Sequence, residues 1–222
     1  MGKLFVLIDP NDENLDGLTA EVNSLKPENV WVGCSVASGK DIASVFENLG
    51  VPADLFPGNF DQMRKGYASA RRVYVPDPLF YSNLGIGAAF EICSSYAGTE
   101  FPDKCEYMNY VLLNPDCTAA KVLGVNTAFD DETVIGTLRG RKVHHYVYLE
   151  GGSRNVAHPI TERSCLIREL KRQYPGSHVI CGGGISGLHQ ASSLKDSGVS
   201  VLVSNAVHKN PRLLEQFMKL FE

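Results

Sequence analysis

Three consecutive glycines, Gly182-Gly183-Gly184, follow the apolar run 178–181 and precede a stretch of helical spacing. Glycine lets backbone N–H groups approach an anion closely, and a helix N-terminus adds a favourable dipole. Ser204-Asn205 follow the next apolar run, residues 200–203, and supply the second half of a phosphate cup. Gly183, Gly184, Ser204 and Asn205 are thus candidate substrate-binding residues; the plainer reading is that the glycines only turn the chain. Asp9 closes the first apolar run, residues 4–8. Mg2+ favours carboxylate and water ligands and is often shared with substrate phosphates. Asp9 therefore reads as a metal-ligating, catalytic carboxylate, with Ser35 of Gly33-Cys34-Ser35 as a neutral helper. A turn or helix cap at Asp9 and a local backbone bond at Ser35 are the alternatives. Glu150 ends the run HHYVYLE, where a carboxylate is costly unless it is paired or used. It is either a general base for a hydroxyl or half of a salt bridge. Tyr148, two residues earlier, shares its face and can donate to a phosphate or simply pack. His144 and His145 are adjacent, point to opposite faces and make a poor metal pair. Asn114-Pro115-Asp116 is either a turn or a contributor to the same site.

These residues need a scaffold that gathers strand ends. Short apolar runs bounded by turn residues mark strands at 4–8, 30–33, 53–56, 72–75, 107–113, 146–149, 178–181 and 200–203. Helical spacing predicts helices at 15–25, 41–49, 60–70, 85–96, 131–138, 161–174, 188–197 and 211–221. The stretch 76–104 is the least regular, because VPDPLFYSN reads as loop. Alternating strands and helices imply right-handed βαβ units and a parallel sheet. Eight units close into an α/β TIM barrel, a (β/α)8 fold, here as one domain over residues 1–222. A doubly wound open sheet is the competing fold. In a barrel the candidate residues all fall at the C-terminal ends of strands, where barrel enzymes carry their sites.

The composition fits this. With 44% hydrophobic and 21% charged residues, the chain has an ordinary globular balance. A net charge of -4 argues against nucleic acid as a partner. No run of 18 apolar residues predicts a transmembrane helix. The N-terminal run ends in Asp9-Pro10 rather than a small-residue cleavage site, and reads as a strand rather than a signal peptide. The six cysteines form no CxxC pair and read as reduced thiols of a cytoplasmic protein.

The motifs, taken in order, resemble one family. LIDPND at residues 7–12, GCS at 33–35, YVLLNPDCTAAK at 110–121, YLEGGS at 148–153, CGGGIS at 181–186 and SNAV at 204–207 are similar to segments of the geranylgeranylglyceryl phosphate synthases and the heptaprenylglyceryl phosphate synthases (PcrB). The resemblance runs from Leu4 to about Asn210. It implies a modified barrel with one irregular helix position, which suits residues 76–104. It implies Mg2+-dependent transfer of a polyprenyl group from a prenyl diphosphate to the C3 hydroxyl of sn-glycerol 1-phosphate. Asp9 and Ser35 would sit at the metal and diphosphate. Tyr148, Glu150, Gly151, Gly152 and Ser153 would line the acceptor, with Gly184, Ser204 and Asn205 at its phosphate. It leaves room for a homodimer and for peripheral membrane contact by the product.

The chain departs from the pattern at several points. Leu7 stands where many bacterial members carry a phosphate-binding lysine. Ser204 replaces a glycine, and Gly151 a larger residue. Phe80, Tyr81 and Leu84 occupy the place of a tryptophan-containing segment. A related barrel of moenomycin biosynthesis joins a farnesyl donor to 3-phosphoglycerate, and Arg154 can pair with such an acceptor's carboxylate. A sugar-phosphate isomerase or aldolase would want a catalytic lysine or a second carboxylate at a strand end, and none stands out. A non-catalytic prenyl-phosphate binder would keep the glycine cup but has no use for Asp9 and Glu150.

Overall fold

Strands buried on both faces should read as unbroken Val, Ile and Leu runs, with residues two apart sharing a face. The computed structural model, which describes residues 2–35, 41–82, 84–152 and 160–222, shows where each face goes. The strands are β1 (Leu4–Ile8), β2 (Val30–Val32), β3 (Asp54–Leu55), β4 (Val73–Pro78), β5 (Cys105–Leu112), β6 (Tyr146–Glu150), β7 (His178–Gly182) and β8 (Ser200–Val203). They pair in parallel in sequence order, and β8 closes on β1 through Leu4–Val201 and Val6–Val203. The helices are α1 (Leu15–Leu25), α2 (Ile42–Asn48), α3 (Phe60–Gly66), α4 (Leu84–Glu100), α5 (Thr118–Leu123), α6 (Asp131–Arg139), α7 (Ser164–Gln173), α8 (Leu188–Asp196), α9 (Asn205–Lys209) and α10 (Leu213–Phe221). The barrel is closed, so the open-sheet alternative does not hold.

Two apolar layers follow from the alternation. Leu4, Val6, Ile8, Val30, Val32, Leu55, Val73 and Val75 face outward and pack with the helices. Phe5, Trp31, Tyr74, Met108, Tyr110, Tyr148, Ile180 and Leu202 fill the interior. Barrel interiors are usually dominated by branched aliphatics; this one is largely aromatic. Trp31 lies 4.6 Å from Tyr74 and 5.0 Å from Phe5 between ring centres. Tyr110 stacks on Tyr148 at 5.4 Å with the planes 8° apart, a near-parallel pair just beneath the mouth.

Two features depart from the sequence expectation. β4 runs through Pro76 to Pro78 rather than stopping at residue 75. Proline removes a ladder donor and argues against a central strand, yet here the missing N–H groups face no partner. Arg72 directs its carbonyl to β3 by accepting from Leu55 N–H, whereas Leu79 donates to Tyr110 of β5. Pro76 and Pro78 are in phase with Arg72, so their absent donors aim at β3, whose pairing with β4 ends at Leu55–Val73. The second departure is the length of α4: helical spacing predicts 85–96, and the helix runs on to Glu100, with its apolar residues around the axis instead of in one stripe. α5, by contrast, has no capping signature in the sequence: its N-cap acceptor is the Cys117 sulfur, 3.3 Å from Ala120 N.

Candidate active site

The C-terminal mouth of the barrel opens into a cavity of about 520 Å3. Asp9, Ser35, Tyr148, Glu150, Gly183, Gly184, Ser204 and Asn205 all line it, so residues up to almost 200 positions apart meet there. Gly151 and Gly152 do not line it; they lie behind Glu150. Ser153 and Arg154 lie outside the described residues.

Glu150 is the best-organised side chain. Its Oε1 accepts from Gly152 N–H at 2.8 Å, and its Oε2 accepts from the Tyr148 hydroxyl at 2.5 Å. Tyr148 therefore donates its single hydroxyl proton to Glu150 rather than to a phosphate, and it is fully buried. Burial raises the Glu150 carboxyl above its ordinary range, against the lowering effect of those two bonds. Burial likewise pushes the Tyr148 phenol far up, and the Glu150 charge adds to it, so the phenol stays neutral. Each carboxylate oxygen accepts more than one bond, which leaves room for a substrate hydroxyl. The surrounding glycines are required sterically. A Cβ on Gly183 would lie 1.9 Å from Glu150 Oε1, and one on Gly182 would lie 2.5 Å from the Tyr148 hydroxyl. Gly152 and Gly183 also adopt φ of +84° and +76°, which side chains rarely tolerate.

Beside this pair lies the glycine loop. None of the N–H groups of Gly183, Gly184 and Ile185 has an acceptor among the described residues. Gly184 also has positive φ, at +71°. Successive N–H groups turned outward by such backbone form an anion-binding concavity. Ser186 closes one side, with its N–H and hydroxyl both bonded to Gln190 Oε1. α8 starts at Leu188, where the helical spacing places it, with Gly187 as its N-cap. Ser204 and Asn205 form the opposite wall.

On the far side, Asp9 is half-buried. Asn11 N–H bonds its Oδ1 at 2.8 Å, and the Cys34 thiol also touches the carboxyl. Burial raises its pKa, offset in part by the Asn11 bond. Sequence reasoning missed what holds this corner. His208 of α9 is buried, and its Nε2 accepts Asp9 N–H at 3.0 Å. That leaves the ring proton on Nδ1, which stands 3.2 Å from Asp12 Oδ1. Burial holds His208 below its ordinary pKa, consistent with a neutral ring. The Asp9–His208 pair spans 199 residues, and no local pattern announces it. Cys34 is held in turn by Gln62 and Asn11. Gly33 and Gly58 let the loops after β2 and β3 press together, since a Cβ at Gly33 would lie 1.8 Å from Phe56 O.

A Mg2+ ion fits this corner only in a particular way. Among the described residues no three His, Cys, Asp or Glu side chains cluster into a cage. Mg2+ often takes one or two carboxylates, keeps several waters and shares substrate phosphates. Asp9, with Ser35 on the same rim, supplies that kind of donor set.

An apolar branch of about 70 Å3 leaves the same cavity past Leu7, Tyr148 and Glu150, between Phe56, Phe90, Tyr110 and Leu123. His144 pairs with Asp77 at 3.2 Å and does not line the cavity. Asn114 is a turn residue: its Oδ1 accepts from Asp116 N at 3.0 Å. All six cysteines are free. No helix among the described residues is long and apolar enough to cross a membrane.

Comparison with known proteins places the chain in a family. The chain is 32% identical over 211 residues to the heptaprenylglyceryl phosphate synthase of Geobacillus thermodenitrificans, covering 90% of this chain and 84% of that one. It is 25% identical over 230 residues to the geranylgeranylglyceryl phosphate synthase of Pyrococcus horikoshii, covering 98% and 88%. The fold matches the crystal structure of (S)-3-O-geranylgeranylglyceryl phosphate synthase from Thermoplasma acidophilum, in complex with sn-glycerol-1-phosphate, with a TM-score of 0.81. That match has 16% identity and covers 99% of this chain and 92% of the other. The PcrB family model matches residues 2–221, and with the Geobacillus relative this establishes that the chain belongs to the PcrB family.

Proposed function

We propose that the chain is a prenyltransferase that alkylates sn-glycerol 1-phosphate with a prenyl diphosphate and forms an ether bond. The observation that carries this is the placement of Glu150 between an anion-binding glycine loop and an apolar branch. The loop N–H groups of Gly183 and Gly184 hold the acceptor's phosphate. Glu150, fixed by Tyr148 and Gly152, accepts the proton of the acceptor hydroxyl. The hydroxyl oxygen bonds to C1 of the prenyl group as the bond from C1 to the diphosphate oxygen breaks, and diphosphate leaves. The branch lined by Phe56, Phe90, Tyr110 and Leu123 receives the allylic end of the apolar chain and keeps water from the reacting carbon. Asp9, with Ser35 beside it, would hold Mg2+, which when bound neutralises charge on the leaving diphosphate. The relatives' names favour a glycerol phosphate as acceptor, and the Thermoplasma acidophilum structure holds sn-glycerol-1-phosphate as its substrate. The alternative, 3-phosphoglycerate, leans on Arg154, which lies outside the described residues.

The test is direct. Purified chain, given labelled prenyl diphosphate, sn-glycerol 1-phosphate and Mg2+, should release diphosphate and form an alkali-stable product. Asp9→Asn should lower turnover at least about a hundredfold while leaving the melting temperature near that of the parent. Full activity in excess chelator, or an Asp9→Asn enzyme as fast as the parent, would remove the metal from this reading. Absence of any ether product would remove the reaction.

A further inference from the structure

We propose that Lys209 is a phosphate-binding residue, closing the cup of Gly183 and Gly184 from the side of α9. The inference rests on the reading of this cavity as a site for phosphorylated substrates. Two carboxylates, Asp9 and Glu150, face the cavity, and one phosphorylated substrate would bring at least one further negative charge beside them. Among the described residues that line it, Lys209 is the only one with a basic side chain. Leu7, on the first strand, brings no charge to the rim. Lys209 is exposed and has no ion-pair partner among the described residues.

Its direction follows from helix geometry. Asn205 and Lys209 are four residues apart and share one face of α9, and both line the cavity. Helical side chains lean toward the N-terminal turn, so the Lys209 stem runs back over Asn205 toward the glycine loop. The adjoining face of α9 is locked in place: His208 accepts Asp9 N–H and its carbonyl accepts from Asn14 Nδ2 at 2.7 Å. The helix therefore cannot roll to carry Lys209 away from the cavity without breaking these bonds. An ammonium placed this way gives a charge-assisted contact to a phosphate oxygen, stronger than a bond from a neutral donor.

The probe is inorganic phosphate, titrated calorimetrically into the parent, Lys209→Gln and Lys209→Arg at low ionic strength. Lys209→Gln should weaken phosphate about tenfold and Lys209→Arg should recover most of the loss. In the transfer assay, KM for the phosphorylated acceptor should rise similarly while kcat stays within about twofold. Unchanged phosphate affinity in Lys209→Gln would overturn the proposal, as would equal loss in the Gln and Arg variants, or no phosphate binding by the parent. Failure here is distinguishable from failure of the proposed reaction. Transfer with Lys209-independent phosphate binding sinks only the role of Lys209. Lys209-dependent phosphate binding without transfer supports that role and sinks only the reaction.

Discussion

At the residue scale the account turns on Glu150. Its folded pKa is raised above the ordinary value of 4.5 because burial disfavours the carboxylate. A base works only when ionised, so kcat/KM should fall as pH drops through a value above the usual carboxylate range, and Glu150→Gln should abolish that limb along with at least about a hundredfold of turnover. The same shift has a stability consequence of opposite benefit. A group with a raised folded pKa favours folding when protonated, and that contribution is lost as pH rises through the folded value. Glu150→Gln mimics the protonated form: its amide oxygen can accept from Gly152 N–H, and its amide nitrogen can donate to the Tyr148 oxygen in place of the bond that Tyr148 donates to the carboxylate. It is expected to be more stable than the parent at neutral pH, with a higher Tm, and the difference should vanish in acid. Thermal unfolding of both proteins between acid and neutral pH checks this; a Gln variant less stable at every pH would contradict it. The position of Glu150 was legible because strand alternation places it at a barrel rim beside Tyr148. Its partners were not, since the tyrosine bond depends on a fully buried phenol and the Gly152 bond on a positive φ. His208 and Lys209 were invisible for a different reason: they gain meaning only when α9 meets β1 across the closed barrel.

At the element scale the weakest part of the barrel is β3. It has two strand residues, and it meets β4 through the single pair Leu55–Val73. A buried ion cluster reinforces it from the N-terminal side. Asp54, with no exposed surface, receives Arg71 Nε at 2.8 Å and the second Arg71 nitrogen at 2.9 Å, and Arg72 at 3.2 Å. Removing one partner of a buried pair leaves uncompensated charge and costs about 3–5 kcal/mol; with both arginines a third or more exposed, about 2–3 kcal/mol is expected for Asp54→Asn. The loss should appear in Tm and leave both KM values unchanged, because the cluster lies at the end of the barrel opposite the cavity. A variant with parental Tm but altered KM would refute this separation. The eight strands themselves were readable from apolar runs. The extension of β4 was not, because two prolines argue against a strand unless the neighbouring strand is known to have ended. α4 was readable over 85–96 but not to its end, because a helix with apolar residues on every side lacks a stripe, and α5 was missed because a thiol serves as its cap.

At the scale of the whole molecule, the barrel divides its work between its ends. One end holds the Asp54 cluster and the other gathers Asp9, Glu150, the glycine loop and the apolar branch. A chain of net charge -4 with two carboxylates in its cavity gives anionic substrates no general attraction; recognition has to come from local donors, the backbone of Gly183 and Gly184, Lys209 and a bound cation. Such local recognition should discriminate acceptors that share a phosphate but differ at the far end. The measurement that tests the central claim most directly is therefore a parallel transfer assay with one labelled prenyl diphosphate and three acceptors: sn-glycerol 1-phosphate, sn-glycerol 3-phosphate and 3-phosphoglycerate. The expected result is an ether product with sn-glycerol 1-phosphate at a kcat/KM at least about tenfold above the other two. A product formed only with 3-phosphoglycerate, or none with any acceptor, would contradict the account.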